Sequence, residues 1–316
     1  MLKSLNLGSV HGFLTSLYHQ EGAGRKPYPA VCMLKAQLLK QLWRVPSDRR
    51  LSLLLKRNRR VARACGFRRE TPSHGLFTQF RHRLGKEGYE KVFSLLLKQL
   101  LKGGAVKGEV VAVDSTAVKA YSQRSLDNKT GKSDPEARVG RARRGFLLGY
   151  KVHTACYARS ELPLAFTVAP CNRNDKCFIK PLLKTLKSQG IRFKTVLADA
   201  QYDSAKTRNT VKQYGAEPVI PYRKSSKIRR ALSVGRNFVV RGVKRLVKLF
   251  RKRVSIERVF GRAKEWLLID HLRVKGLEQA FIHACLSFSA MLAVALTAVR
   301  QHKPRLIRSI KHYITQ

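Results

Sequence analysis

The sequence predicts a mixed α/β fold, in which a mixed sheet flanked by helices is preceded by an all-helical N-terminal domain. Three observations predict it. Residues 1 to about 105 carry apolar residues at helical spacing, interrupted by cap and stop signals. From Glu109 the pattern changes to short apolar runs of the kind that form buried strands. Beyond Asp175, helical and strand-like segments alternate, as crossover connections between parallel strands require.

In the helical part, Tyr28-Pro29 precedes an apolar-periodic run, Ala30 to Trp43, that stops before Pro46. Ser47 and Asp48 make an N-cap signal for LSLLLKRNRRVARACGF, a helix that Gly66 ends. Thr71-Pro72-Ser73 starts another helix through FTQFRHRLG, and Tyr89 to Leu101 forms a fourth. The first three have the size and short connections of a helix-turn-helix array, and plain helical packing gives the same pattern.

The strands follow in order. VVAVDSTAVKAYS is the first, with Asp114 placed at the end of its apolar run. Gln123 to Gly145 is expected to be a basic loop. GYKVHTACYA and LPLAFTVAP are two further strands joined by a turn at Arg159-Ser160-Glu161. Asp175 to Gln189 is expected to be a helix ending at Gly190, and KTVLAD a strand ending at Asp199. A helix from Ser204 to Tyr214 stops at Gly215, EPVIP is a short strand, and one helix spans roughly Leu246 to Leu268. The order β-β-β-α-β-α-β-α is that of a ribonuclease-H-like domain.

Composition bounds the partners. The chain has 316 residues, 44% of them hydrophobic, enough to bury a sizeable core. Its 65 Lys and Arg against 19 Asp and Glu give a formal net charge of +46, which repels itself unless a polyanion neutralises it. Nucleic acid is the expected partner because its phosphates release counterions on binding; a membrane surface or an acidic protein is the alternative. The six cysteines form no CxxC pair and no metal-ligand spacing with the nine histidines. They are expected to be buried thiols in a reducing compartment, with Cys171 and Cys177 close in sequence but not bonded.

The N-terminus lacks a clear apolar signal region and cleavage site. Ala280 to Val299 holds no charged residue and is long enough to span a bilayer. It contains His283, Ser287, Ser289 and Thr297 and has basic flanks on both sides, so a helix buried in a soluble domain is expected, with no membrane partner. A cytoplasmic, nucleoid-associated location follows from that expectation and the charge.

Asp114 and Asp199 share a context, each closing an apolar strand and followed by polar residues. Ligands of open α/β sheets gather at the carboxyl ends of strands. Two carboxylates there repel each other unless a cation lies between them, and oxygen-only ligands favour a hard divalent ion, Mg²⁺ by default. Each Asp is also a residue that simply caps a turn. Glu257, in LFRKRVSIERVFGRAKEW, lies at the edge of the apolar stripe Ile256, Val259, Phe260, Ala263 and Leu267. Packing that stripe on the sheet brings its carboxylate toward the strand ends. On one continuous helix Phe250, Arg253, Glu257 and Lys264 occupy a narrow sector; an Arg–Glu pair on a solvated face is the bland reading. Three carboxylates around two metal ions suit phosphodiester chemistry, with Arg253 and Lys264 meeting DNA phosphates beside them. The acid-free cationic stretch from Tyr222 to Arg253 adds Arg223, Lys224, Arg245 and Lys248 as expected DNA contacts, and the Glu257 helix adds Arg262.

At these residues the chain resembles a DDE transposase of a bacterial or archaeal insertion sequence, of the type-four and type-five group, from about Tyr28 to Val299. The matching motifs are VAVDST around the first Asp, LADAQYDS around the second, VIPYRK after it, and Tyr-x2-Arg-x3-Glu-x6-Lys at Arg253, Glu257 and Lys264. The tyrosine position of that last motif is Phe250, which lacks the hydroxyl. DPEAR at Asp134 to Arg138, GYKVH at Gly149 to His153 and RVKGLEQA at Arg273 to Ala280 also match. LWRVPSDRRLSLLL and FTQFRHRL are similar to the helical domain that precedes the catalytic core in these enzymes.

The resemblance implies Asp114, Asp199 and Glu257 as catalytic metal ligands holding two Mg²⁺ ions per site, with Mn²⁺ substituting. It implies cleavage at terminal inverted repeats, attack of the freed 3′-OH on target DNA, and a homodimer or higher multimer on double-stranded DNA. Tyr202 and Asp203 are expected to order the loop of the second Asp; Trp266 packs in the core or stacks on a displaced base. The expected domains are 1–105, helical; 106–270, ribonuclease-H-like, with basic loops at 123–147 and 222–245; and 271–316, C-terminal helices with a basic tail. A nuclease or resolvase of the same fold without strand transfer and a non-catalytic basic DNA-binding protein are the alternatives.

Overall fold

The computed structural model describes residues 7–18, 26–142, 145–223 and 244–314. Backbone contacts divide the chain into two compact units: 1–103 with 262–274 and 278–316, and 104–261 with 275–277.

The first unit is helical. Helices α1 (Gly8–Thr15), α2 (Ala30–Leu42), α3 (Asp48–Arg57), α4 (Arg59–Cys65) and α5 (His74–Lys102) come from the front of the chain. Ser47 caps α3 by accepting from the Arg50 N–H at 3.2 Å, and Gly66, at φ +103°, ends α4. The helix expected to run unbroken to Gly66 is interrupted at Asn58. That residue is extended, and its side chain accepts from Val61 N–H at 3.1 Å, so it ends α3 and caps α4. The two later helices adjoin at Gly85, whose φ of +58° and ψ of 179° break α5.

Three more stretches complete this unit: the end of α9 (Val254–Leu267), most of α10 (Leu277–Arg300), and α11 (Ile310–Ile314). Helix α10 is the one described helix long and apolar enough to cross a membrane, and 89% of its most apolar window is buried. Its polar groups are satisfied as a protein core demands. Ser287 donates to the Leu267 carbonyl at 2.9 Å, Thr297 to Ala293 at 2.9 Å, and His283 Nε2 to Leu268 at 2.7 Å. Cys285 Sγ donates to the Tyr89 carbonyl at 3.2 Å, and Glu278 accepts from the Lys86 N–H at 3.2 Å where Gly85 turns the chain. Asp48, largely buried, is held by Lys40 at 2.6 Å and by Arg81.

The second unit is built on a six-stranded sheet: β1 (Val110–Lys119), β2 (Arg138–Ala142), β3 (Gly145–Tyr157), β4 (Leu162–Pro170), β5 (Thr195–Leu197) and β6 (Glu217–Val219). Strand β3 pairs antiparallel with β1, β2 and β4, whereas β5 runs parallel to β1 and β6 parallel to β5. This is the ribonuclease-H-like arrangement, a hairpin-linked half followed by a crossover half. Helices α6 (Ile179–Ser188) and α7 (Ala205–Gln213) make the crossovers. Val111, Ala112 and Val113 are fully buried; each valine contributes about 1.5–3 kcal/mol by leaving water. Gly149 allows β1 to approach, because a Cβ there would lie 2.0 Å from the Val118 carbonyl oxygen.

Several expected boundaries move. The segment 123–145 is not all loop: β2 pairs Arg138 with Gly149 through Ala142 with Gly145. The helix expected from Asp175 begins as a 3-10 turn, Asp175–Phe178, capped by Asn174, before α6. The helix expected from Leu246 to Leu268 is two, α8 (Lys244–Arg251) and α9, with a turn at Lys252-Arg253. The described cysteines are all free; four are buried, Cys32 is half-buried, and Cys177 is exposed rather than buried.

Candidate active site

Asp114 does not close its strand, contrary to its expected place. It is the fifth of ten residues in β1, and the apolar run Val110–Val113 is only the first part of that strand. Asp199 lies two residues past the end of β5, where it caps a 3-10 turn, Ala200–Tyr202, by accepting from the Gln201 N–H at 2.9 Å. The parallel register aligns the two acids. Its last pair is Ala112 with Leu197, so each aspartate stands two residues beyond the same rung. Strand β5 has ended there and β1 continues, which opens the edge of the sheet between them.

Both carboxyls feel their setting. Burial, and then the neighbouring Asp199, push Asp114 up to about 7, against the Ser115 N–H at 2.8 Å and the Arg253 guanidinium. Burial also raises Asp199, opposed by its bond from Gln201. Tyr202 is fully buried beside them and its hydroxyl meets no hydrogen-bond partner among the described residues; burial, then the charges of Asp114, Asp175 and Asp199, raise it well above the phenol range.

Arg253 ties in the third acid. From the turn between α8 and α9 its Nη1 donates to Asp114 Oδ2 at 3.2 Å and its Nη2 to Glu257 Oε1. Glu257 therefore reaches Asp114 through a guanidinium, while its own side chain stays 53% exposed. Among the described residues no three His, Cys, Asp or Glu side chains are close enough to hold one metal ion. The donor chemistry of Asp114 and Asp199 nonetheless fits a hard divalent cation: two oxygen acids, both pushed toward protonation, beside an unsatisfied phenol. The fit is to the two aspartates, and Glu257 is not gathered with them.

The loop after Asp199 is braced by Asp203. Its Oδ1 accepts from Arg208 Nε and Nη2 at 3.1 and 2.9 Å, and its Oδ2 from the Arg223 N–H at 2.9 Å. The Arg223 side chain turns back onto the Ala200 and Gln201 carbonyls at 3.2 and 2.9 Å. Phe250 lies on α8, with its ring centroid 6.0 Å from the Arg253 guanidinium. Lys248 is exposed, whereas Arg262, Lys264 and Trp266 are half-buried on α9. Lys224 and the Arg245 side chain lie outside the described residues.

The acid that sequence reasoning passed over is Asp175, buried to 8% exposure. It accepts from Lys151 Nζ at 3.0 Å and lies 3.7 Å from His153 Nδ1. Its charge acts on Asp114, Asp199 and Tyr202. The available signal was an acid in a short connection after a buried strand, in a chain with only 19 acids.

Comparison with known proteins gives two family matches. The model described as Transposase DDE domain matches residues 106–293, and Transposase domain (DUF772) matches residues 1–83. Among solved structures, the chain is similar to the piggyBac transposase in a synaptic complex with hairpin DNA, at 8% identity and a TM-score of 0.52, over 99% of this chain and 77% of that one. It also matches the Mos1 transposase paired-end complex with the left transposon end, at 11% identity and a TM-score of 0.24, over 80% and 82% of the two chains.

Proposed function

Because the chain belongs to the transposase DDE-domain family and is therefore a transposase, we propose that it cuts double-stranded DNA at the terminal inverted repeats of its own element and joins the 3′-OH ends to target DNA. The observation that carries this reading is the shared register of Asp114 and Asp199, each two residues past the last β1–β5 pair, with Arg253 leading from Asp114 to Glu257.

Asp114 and Asp199 would hold Mg²⁺, two ions per site with Mn²⁺ able to substitute, and Glu257 would join them as third ligand only on leaving the Arg253 guanidinium that now separates it from Asp114. When bound, these ions supply activation of the attacking oxygen and stabilisation of the leaving one. The remaining work falls to the protein. Burial keeps Asp114 in a low-dielectric setting where its charge interactions are strong. The Asp203–Arg208–Arg223 brace holds the Asp199 loop in one conformation. Arg253 presents a planar fork suited to a carboxylate or a phosphate, and Lys264 a point charge. Arg223, Lys224, Arg245, Lys248 and Arg262 are further contacts to DNA phosphates in this reading, and the net charge of +46 supplies attraction that falls with salt. The protein acts as a homodimer or higher multimer on paired ends, in the nucleoid-associated cytoplasm.

The test is cleavage of DNA carrying the element's own ends, with Mg²⁺ or Mn²⁺. Asp114→Asn, Asp199→Asn and Glu257→Gln are each expected to abolish cutting with DNA affinity retained; full activity in any one removes that residue from the site. Joined products distinguish a transposase from a nuclease of the same fold: cut ends that never enter target DNA would refute strand transfer.

A further inference from the structure

The segment Asn174–Phe178 touches both sides of the carboxylate pair. On one side it grips β3, the strand that neighbours Asp114. Asp175 Oδ1 accepts from Lys151 Nζ at 3.0 Å, and the Phe178 ring stacks on the His153 imidazole at a centroid distance of 3.9 Å and an interplanar angle of 17°. The β1–β3 register sets His153 opposite Ser115, immediately after Asp114. On the other side, Lys176 Nζ donates to the Asp203 carbonyl at 2.7 Å, in the loop that carries Asp199. Asn174 fixes the segment itself by accepting from the Lys176 N–H at 3.2 Å.

Strand pairing alone does not set this spacing, because β5 ends at Leu197 and no ladder bond holds Asp199 against β1. The imidazole does not compete for Asp175 as a cation. It is fully buried, and burial and then Lys151 push it down to about 3, which leaves it neutral, with the Lys151 ammonium as the positive partner.

We propose that Asp175 is a positioning residue of the metal site, the anchor of a clip that sets the separation of Asp114 and Asp199 and so their affinity for a divalent cation. This rests on the proposed role of those two aspartates. Asp175 acts through them, as residues behind metal ligands commonly do, and their removal typically costs 10- to 100-fold in metal affinity.

The test is Mn²⁺ binding to the full chain, followed by electron paramagnetic resonance and calorimetry, beside cleavage as a function of metal concentration. Asp175→Asn is expected to weaken Mn²⁺ by about 10-fold or more. The metal needed for half-maximal cleavage should rise by the same factor while the rate at saturating metal is largely recovered, and Asp175→Glu should restore part of the affinity. Unchanged Mn²⁺ affinity in Asp175→Asn overturns the proposal. Should that variant fail to fold, Lys176→Met cuts only the tether to Asp203 and should shift Mn²⁺ binding in the same direction; no shift there overturns it equally. Asp114→Asn separates the two claims. If it still binds Mn²⁺ normally, the metal site itself is misassigned; if it loses binding while Asp175→Asn and Lys176→Met do not, only the clip is refuted.

Discussion

Arg253 Nη1 lies 3.2 Å from Asp114 Oδ2, joining the turn before the Glu257 helix to the middle of the central strand, 139 residues earlier. The same guanidinium also bonds Glu257. Two acids of the proposed site thus share one cation, and that geometry needs two donors on a planar group.

Arg253→Lys keeps the charge and loses the fork, so cleavage should fall sharply while the salt dependence of DNA binding stays as it was. Arg253→Ala should weaken DNA binding and lower the slope of log K against log salt by about 0.9. An unchanged slope would show that this side chain meets no phosphate.

Asp114 predicts a pH-dependent cost in the metal-free protein. Its carboxyl titrates near 3.8 when unperturbed and is pushed up to about 7 here, so across that window the folded protein holds a proton that the unfolded chain has released. Stability therefore falls as pH rises through the window and levels off above it. Asp114→Asn escapes this fall. Urea unfolding in EDTA should find the variant more stable than its parent by on the order of 2 kcal/mol at about pH 8, and no more stable at about pH 4. Equal gains at both pH values would place the effect in packing.

Asp48 behaves in the opposite sense. Burial opposes its ionisation, but Lys40 and Arg81 outweigh burial and hold its carboxyl below the usual range. Its contribution is present above the unfolded value near 3.8 and is lost as pH falls through the lower folded one. Asp48→Asn leaves two largely buried cations short of a partner and should cost about 3 kcal/mol at neutral pH. Thermal melts across the acid range would reveal the convergence of the two proteins.

Two glycines should respond oppositely to alanine. At Gly149 the added methyl would collide with the Val118 carbonyl at 2.0 Å and the Ala120 nitrogen at 2.9 Å, both backbone atoms of the segment alongside. Loss of folded protein, or destabilisation by about 3 kcal/mol or more, is expected. At Gly261, inside α9, no described atom beyond its chain neighbours and the helix's own backbone lies within 4 Å of the added methyl, and alanine should add up to about 1 kcal/mol through helix propensity. Equilibrium denaturation of the pair measures both.

Much of this architecture was legible where a local signal stands alone. Ser47 before α3, Gly66 after α4 and Gly190 after α6 act through their own backbone or side-chain geometry, so their meaning survives without tertiary context. Asn58 carried an equally local cap that the surrounding helical periodicity concealed. Strand β2 was hidden because RVGRA is too polar for an apolar alternation; its pairing partner in β3 defines it. The break at Lys252-Arg253 was hidden for a related reason, since the residues on either side keep helical spacing and the turn serves a contact with Asp114. Of the site, Asp114 and Asp199 drew notice because an apolar run leads into each. Asp175 had only Asn174 before it, a helix-start signal, and its significance lies in partners on β3 that are 22 and 24 residues away in the chain.

The helical unit is sewn from both ends of the chain: Tyr89 meets Cys285, and Lys86 meets Glu278. Translation delivers these halves far apart in time. While the ribosome makes the intervening sheet, the stretch of α5 around Lys86 and Tyr89 waits for a helix not yet synthesised. A product terminated before residue 278 would keep the three acids and lose that partner, so an element shortened by a late stop codon should yield a protein cleared by proteolysis rather than a smaller enzyme.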